Sequence, residues 1–136
     1  MNKIESIILN YWNNHSEKSE KSFNMRDRVI ISSNGIKEYY LWETPLIRMS
    51  CTGELFINIS SEHGQDYKYY SYGRPRQTII TNTTKSRLNA FLSYYGFNPL
   101  EVHSSIKEWC VKYNGNELKT DKWYKLDMCL KVLIEI

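Results

Sequence analysis

The feature that most constrains the fold of this chain is a series of short runs in which apolar and polar residues alternate. Several of these runs are followed by a turn dipeptide. One run, Arg28–Ser32, precedes Asn34-Gly35, a pair that suits a tight hairpin because both residues tolerate a positive φ. In a later run, Leu55, Ile57 and Ile59 occupy every second position. Successive side chains of a strand point to opposite faces, so this spacing predicts a meander of short antiparallel strands with one buried face.

Two details of this meander are sharper predictions. The return strand over residues 36–42 is expected to place Ile36, Tyr40 and Trp42 on one face. Pro45 is expected to interrupt the strand pattern, which resumes at Leu46–Cys51, because proline has no N–H to donate to a ladder.

The last third of the chain returns to strand patterns. Trp109–Tyr113 is followed by a second hairpin dipeptide, Asn114-Gly115, and the spacing predicts that Lys119–Leu126 pairs back against it. The alternating residues Val132, Ile134 and Ile136 predict a final strand, which either closes a sheet edge or inserts beside an existing strand.

Two other segments have helical or irregular patterns. Residues 1–14 carry apolar side chains at the spacing of one helix face. These are Ile4, Ile7, Ile8, Tyr11 and Trp12. The stripe is expected to pack on the body of the domain, with docking to a partner or a membrane surface as the alternative. Residues 15–27 carry charges of alternating sign and few apolar side chains, which predicts a solvated connector.

A central helix is predicted over about residues 84–95. Asn82, Thr83 and Thr84 are three consecutive candidate N-caps. Gly96 follows where a left-handed residue commonly ends a helix. The apolar face of this helix is expected to consist of Leu88, Phe91, Leu92 and Tyr95.

These patterns predict a single α+β domain over residues 1–136: a twisted antiparallel sheet, one central packed helix and a short N-terminal helix. The central helix is expected to cover the sheet face of Leu55, Ile57 and Ile59. Hydrophobic residues make up 41% of the chain and charged residues 24%, near the averages of globular proteins. No run of about 18 apolar residues occurs, which argues against a membrane-spanning helix.

The most distinctive local feature is a basic aromatic segment, Tyr67–Arg87. Five cations there and one acid, the preceding Asp66, give a charge of +4, whereas the whole chain carries +3. The candidate partner-binding or phosphate-binding residues are cations and tyrosines of this segment and two threonines at the helix start. They are Lys68, Tyr69, Tyr70, Tyr72, Arg74, Arg76, Thr83, Thr84, Lys85 and Arg87.

Residues of these types suit two kinds of partner. Cations neutralise phosphates, aromatic rings stack on bases and a helix N-terminus favours anions, which together indicate nucleic acid or a nucleotide. Tyrosine and arginine also dominate the binding energy of protein interfaces. Alternating tyrosines are in addition an ordinary sheet surface, and threonines before a helix are ordinary caps. The segment therefore leaves phosphate and protein partners open.

Signals for catalysis are weak. Glu117 and Lys119 have the Glu-x-Lys spacing of metal-dependent nucleases, but such tripeptides are common. The three histidines are dispersed and lack the spacing of a zinc site. We expect a non-enzymatic protein with no metal and no cofactor, and a nuclease remains a remote alternative.

Part of the chain resembles an uncharacterised family of small bacteriophage proteins. Residues 83–90 (TTKSRLNA) resemble the family's TT-[KR]-x-RLNA helix, and residues 109–115 resemble its Trp/Tyr-rich strand ending in Asn-Gly. Residues 46–48 (LIR) resemble its LIAR strand, so the likeness covers roughly residues 40–118. The chain departs from the family by its N-terminal helix and connector, and by residues 118–120 (LKT) in place of Trp-Asp-Gly.

The family has no assigned activity, so the resemblance implies a setting: a phage accessory protein in the cytoplasm of a bacterial host. There we expect it to bind and inhibit a host or antiviral-defence factor, as anti-CRISPR proteins do. The alternative is a nucleic-acid or nucleotide-binding protein that uses the basic aromatic segment. No membrane partner is expected.

Overall fold

A computed structural model places a seven-stranded antiparallel sheet, a three-stranded antiparallel sheet and a two-stranded hairpin around two helices. It describes residues 1–62, 69–71, 74–76, 79–104 and 109–136, with the backbone alone for 69–71, 74–76, 104 and 109. The predicted α+β class is confirmed.

The helices are α1 (Lys3–Asn14) and α2 (Asn82–Tyr94). The strands are β1 (Ser19–Ser22), β2 (Asp27–Ile31), β3 (Lys37–Leu41), β4 (Thr44–Met49), β5 (Leu55–Asn58), β6 (Tyr69–Ser71), β7 (Arg74–Arg76), β8 (Glu101–Ser104), β9 (Trp109–Tyr113), β10 (Asn116–Leu118), β11 (Trp123–Asp127) and β12 (Val132–Glu135). No helix in the described ranges is long and apolar enough to cross a membrane.

The large sheet has the strand order β1-β2-β3-β4-β5-β11-β12. Strands β2–β5 form the predicted meander, and β12 lies at the edge, one of the two placements that the sequence predicts. The predicted pairing of Lys119–Leu126 with β9 is wrong. The Asn114-Gly115 turn does form, with φ of 48° and 81°, but β10 is the strand that it pairs with β9. Asp121, at a φ of 60°, then donates its N–H to Ile59 O (2.7 Å) where the chain enters the large sheet.

One face of the large sheet, the inner face, carries the core. The predicted face of Leu55, Ile57 and Ile59 is confirmed, since all three are buried. They share one hydrophobic cluster with Leu88 and Phe91 of α2. The predicted apolar face of α2 therefore packs where we expect it, and Gly96 ends that helix at a φ of 82°.

The alternation predicted for residues 36–42 holds within β3, but the face that carries Tyr40 is the one opposite the core. Tyr39 and Leu41 are buried on the inner face, whereas Tyr40 points the other way and Trp42 is exposed. The pairing of β3 with β4 shifts register between Tyr39 and Tyr40, and Pro45 pairs with Tyr40 inside β4 instead of interrupting it. The extra residue is Leu46 in β4, where Leu46 and Ile47 are both buried, so simple alternation fails in β4 and not in β3.

The N-terminal helix α1 begins at a capping box formed by Asn2 and Glu5. Its buried apolar residues are Ile8, Leu9 and Trp12, whereas Ile7 is exposed. The Trp12 indole donates a hydrogen bond to Tyr95 Oη (2.9 Å) beside α2. The helix therefore packs on the body of the domain, as expected.

The connector over residues 15–27 is more structured than its composition predicts. Its charged residues form β1, which pairs antiparallel with β2. A short charged strand is a common way to protect a sheet edge from further pairing.

Candidate functional site

Arg87, one of the candidate binding residues, does not lie on the surface. Its side chain is 3% exposed, and its guanidinium is held between two carboxylates from distant parts of the chain. Nε lies 2.8 Å from Asp27 Oδ1, and Nη1 lies 2.9 Å from Glu5 Oε2. The assignment of Arg87 to a binding surface is therefore corrected: this cation joins α2 to β2 and α1.

The buried cluster of Arg87, Asp27 and Glu5 is well supplied with hydrogen bonds. Tyr39 Oη donates to Asp27, and Ser86 Oγ donates to Glu5. Burial by itself raises the pKa of Asp27, but hydrogen bonds from Arg87, Tyr39 and Asn24 outweigh it and hold that pKa below its ordinary value. Burial raises the pKa of Tyr39, and its hydrogen bond to Asp27 raises it further. The cluster is thus buried, paired and structural.

Other residues of the TTKSRLNA run also have structural roles. Thr84 and Leu88 are buried, and Asn89 Oδ1 accepts a hydrogen bond from the Leu100 N–H (2.8 Å). The N-cap of α2 is Thr81, whose Oγ1 accepts from the Thr84 N–H at 3.0 Å. The three predicted caps are therefore wrong by one to three positions. The run is typical of a helix that is anchored on several sides.

The other candidate residues are placed as follows. Thr83 and Lys85 are half-buried on the first turn of α2. In the β6–β7 hairpin, the backbone of Tyr69 pairs with Arg76, Tyr70 with Pro75, and Ser71 with Arg74. Lys68 and Tyr72 lie outside the described residues. At the level of the backbone, the hairpin brings a tyrosine and an arginine of the basic aromatic segment opposite each other.

The remote nuclease sites find no support in geometry. Glu117 is exposed on β10, and Lys119 Nζ lies 3.3 Å from Glu135 Oε2. Within the described ranges, no group of three His, Cys, Asp or Glu side chains could hold a metal ion.

A candidate surface that sequence reasoning missed is the solvent-facing side of the large sheet, which we call the outer face. Cross-strand pairs align its side chains in two rows. The first row consists of Glu20, Ile30, Glu38, Arg48, Phe56, Lys125 and Ile134. The second consists of Ser22, Arg28, Tyr40 and Pro45 on one half and Asn58 and Trp123 on the other.

Aromatic rings and guanidinium groups stack on the outer face. Arg28 Cζ lies 4.9 Å from the centroid of the Tyr40 ring, and Arg48 Cζ lies 4.8 Å from that of the nearer Trp123 ring. Both arginines remain partly exposed, at 31% and 45% of their side chains. Stacking restrains these long side chains before any partner arrives, which lowers the entropy lost on binding.

Cations of the outer face have acidic neighbours. Arg48 Nη2 lies 3.0 Å from Glu38 Oε2, Lys125 Nζ lies 2.6 Å from Glu54 Oε2, and Arg28 approaches Glu20 at 4.0 Å. Burial and then the nearby Glu38 raise the pKa of Tyr40, so its hydroxyl is protonated at neutral pH and can donate a hydrogen bond. The face offers flat aromatic area and directional polar groups with a nearly balanced charge.

The sequence does contain a signal for this face. Arg28 and Ile30 alternate with the buried Val29 and Ile31, which marks them as outward-facing. What the sequence lacks is the register that brings Arg48 of β4 over Trp123 of β11, which lies 75 positions later along the chain. That pairing depends on the insertion of β11 beside β5.

The candidate site therefore rests on the geometry of the outer face. The face combines stacked arginines, two large aromatic rings and an apolar residue at the β12 edge, Ile134.

No protein-family model, no curated protein and no solved structure matches the chain.

Proposed function

We propose that this chain is a non-enzymatic binding protein whose partner is another protein, and that the outer face is its docking surface. The observation that carries the proposal is the pair of arginine–aromatic stacks, Arg28 on Tyr40 and Arg48 on Trp123. Arginine, tyrosine and tryptophan are the residues that most often dominate interface energies, because they combine large contact area with directional hydrogen bonds.

The charge pattern favours a protein over a phosphate backbone. Affinity for nucleic acid comes mainly from cations that neutralise phosphates, and such cations must be free to do so. Arg48 and Lys125 each lie within 3.0 Å of a carboxylate oxygen on the same face. A partner with mixed charges fits this surface, because it can pair with both the cations and the carboxylates and leaves none of these charges unpaired.

The specific form of the proposal comes from the resemblance of residues 83–90 and 109–115 to small bacteriophage proteins. In that setting the partner is a host or antiviral-defence factor in the bacterial cytoplasm, and binding inhibits it. Among the cations, the nucleic-acid alternative now depends on Lys68, Arg74, Arg76 and Lys85, since Arg87 is held in buried ion pairs.

The test is capture of a partner from bacterial lysate by the immobilised chain, compared among matched variants. Trp123→Ala and Arg48→Ala each remove one partner of the same arginine–aromatic stack. Each is expected to weaken binding by about tenfold or more, as hot-spot truncations do. Tyr94→Ala is the control, since Tyr94 is an exposed aromatic residue on α2, away from the outer face. Thermal unfolding of each variant separates lost binding from lost folding.

Two results would count against the proposal. Equal capture by wild type and the correctly folded Trp123 and Arg48 variants would show that the outer face is not the docking surface. Binding of DNA or RNA in a fluorescence-anisotropy titration, with a steep salt dependence that Arg74→Ala and Arg76→Ala abolish, would favour the nucleic-acid alternative.

A further inference from the structure

The free edge of β12 carries an exposed apolar stripe. Val132 is 37% exposed, Ile134 45% and Ile136 68%, and Leu130 in the preceding turn is 72% exposed. Within the described residues β12 is the last strand of the large sheet and pairs with β11 alone. An exposed strand edge with apolar side chains is a template for pairing with another strand.

The opposite edge of the same sheet has the reverse character. There β1 has the sequence SEKS, and Glu20 and Lys21 are exposed. Charged residues discourage further pairing at such an edge. The contrast between the two edges points to β12 as the edge that is open to a partner.

The backbone of β12 presents hydrogen-bonding groups to that open edge. The Ile136 N–H donates to Trp123 O (3.3 Å), toward β11. In an antiparallel ladder alternate residues bond to the same neighbouring strand. The backbone N–H and C=O groups of Ile134 and Val132 therefore also point toward β11. The N–H and C=O groups of Leu133 and Glu135 therefore point outward.

The sequence around Leu133 matches itself when read in the opposite direction. With Leu133 opposite Leu133 of a second copy, Val132 pairs with Ile134 and Leu130 with Ile136. In the same register Lys131 lies opposite Glu135. Apolar residues meet apolar residues, the cation meets the anion, and the outward groups of Leu133 form a hydrogen-bonded pair.

We propose that β12 pairs antiparallel with β12 of a second copy of this chain, in the register centred on Leu133, to form a twofold dimer. Such an interface is isologous, because each contact occurs twice. The two seven-stranded sheets would become one continuous sheet, with both outer faces on the same side. This inference goes beyond the proposed function, since it concerns backbone pairing at the sheet edge, although Ile134 belongs to both the edge and the outer face.

Within one copy, the two charged side chains that the register pairs contact their own chain and would exchange those contacts on pairing. Lys131 Nζ now donates to Tyr95 O (3.0 Å), and Glu135 lies 3.3 Å from Lys119 Nζ with its side chain 36% exposed. Lys131 O accepts from Tyr113 Oη at 3.3 Å and keeps a second lone pair for the Glu135 N–H of the other copy. The Leu130–Ile136 contacts extend the interface beyond the strand itself.

The first experiment is a charge swap followed by analytical ultracentrifugation of the whole chain over a range of concentrations. Wild type is expected to sediment at twice the 16.2 kDa of one chain. Glu135→Lys places like charges opposite each other twice and is expected to raise the dimer dissociation constant about tenfold. The double variant Lys131→Glu/Glu135→Lys restores opposite charges and is expected to restore the dimer.

The matched control is Glu20→Lys on the opposite edge, which is expected to leave the dimer unchanged. A monomeric wild type at every concentration would overturn the proposal. So would a dimer that Glu135→Lys does not weaken, or one that the double variant fails to restore while both variants keep the wild-type unfolding temperature.

A second experiment tests the register by disulfide cross-linking, with the exposed Cys51 and Cys129 changed to serine. Leu133→Cys is expected to cross-link under mild oxidation, because hydrogen-bonded partners lie about 5.5 Å apart at Cα, within disulfide reach. Position 134 of one copy is offset along the strand by about 7 Å from position 134 of the other, so Ile134→Cys is expected not to cross-link. Cross-linking at Ile134 and not at Leu133 would overturn the proposed register.

Discussion

Arg87 illustrates how a residue that looks like part of a basic surface can be part of the core. It sits within a run of cations in the sequence, yet its guanidinium is desolvated and held by Glu5 and Asp27. Burying a charge is costly, and the cost is offset only where partners and hydrogen bonds are complete. Burial lowers the pKa of Arg87, but the hydrogen bond and charge of Asp27 outweigh it and raise that pKa above its ordinary value.

At this scale the prediction concerns the removal of the cation. Arg87→Met leaves two carboxylates without their partner and is expected to lower the free energy of unfolding by about 3–5 kcal/mol. Urea unfolding followed by tryptophan fluorescence measures the change. Lys85→Met, on the same helix but half-buried, is the control and is expected to change stability by less than about 0.5 kcal/mol.

A third variant separates loss of the cation from loss of the whole cluster. Replacing Glu5, Asp27 and Arg87 together by apolar residues is expected to recover most of the loss, because no unpaired charge remains. A small effect of Arg87→Met would mean that water reaches the carboxylates, which contradicts the burial of Glu5 and Asp27.

Among the elements, α2 shows how one capping residue is selected from several candidates. The sequence offers Asn82, Thr83 and Thr84 as caps, and the residue before them is also a threonine. The structure selects Thr81, whose Oγ1 accepts from the N–H of Thr84 and whose hydroxyl donates to Thr84 Oγ1. The helix therefore begins earlier than its apolar spacing suggests.

The prediction for this element is a comparison of two threonines. Thr81→Ala is expected to cost about 1 kcal/mol, the usual value of an N-cap hydrogen bond. Thr83→Ala, on the first turn but outside the cap, is expected to cost less than half of that. Thermal unfolding by circular dichroism measures both, and a larger loss for Thr83 would contradict the assignment of the cap.

The same elements show which parts of the fold can be predicted from sequence. The face of β5, the end of α2 at Gly96 and the Asn114-Gly115 turn depend on neighbouring residues, so local patterns suffice for them. The burial of both Leu46 and Ile47 depends on a bulge in β4, which no local pattern encodes. For the candidate site, the local excess of positive charge predicts a binding surface at residues 67–87. The outer face cannot be predicted in this way, because it depends on the pairing of β11 with β5, which are distant in sequence.

On the scale of the whole molecule, one polar cluster joins elements from both halves of the chain. Glu5 belongs to α1, Asp27 to β2 and Arg87 to α2, and the apolar residues of the same three elements share one core. Trp12 adds a second link, because its ring packs edge-on against Phe91 at 5.1 Å. We therefore expect α1 to unfold together with the sheet and not as a separate step.

Acid should destabilise the whole molecule through this cluster. The pKa of Asp27 lies below its ordinary value of 3.8 in the folded state, so the unfolded chain takes up a proton first as pH falls. The stability that Asp27 contributes is complete above pH 3.8 and is lost progressively below it. Far-UV circular dichroism and tryptophan fluorescence are expected to follow one acid transition.

Two variants assign the acid transition to the cluster. In Asp27→Asn the free energy of unfolding is expected to be lower at neutral pH and to depend less on pH below 3.8. Glu54 has a pKa lowered by its hydrogen bond from Lys125, but the pair is exposed to solvent. Glu54→Gln is therefore expected to leave the acid midpoint nearly unchanged. If Glu54→Gln shifted the midpoint as much as Asp27→Asn, surface pairs rather than the buried cluster would govern acid stability.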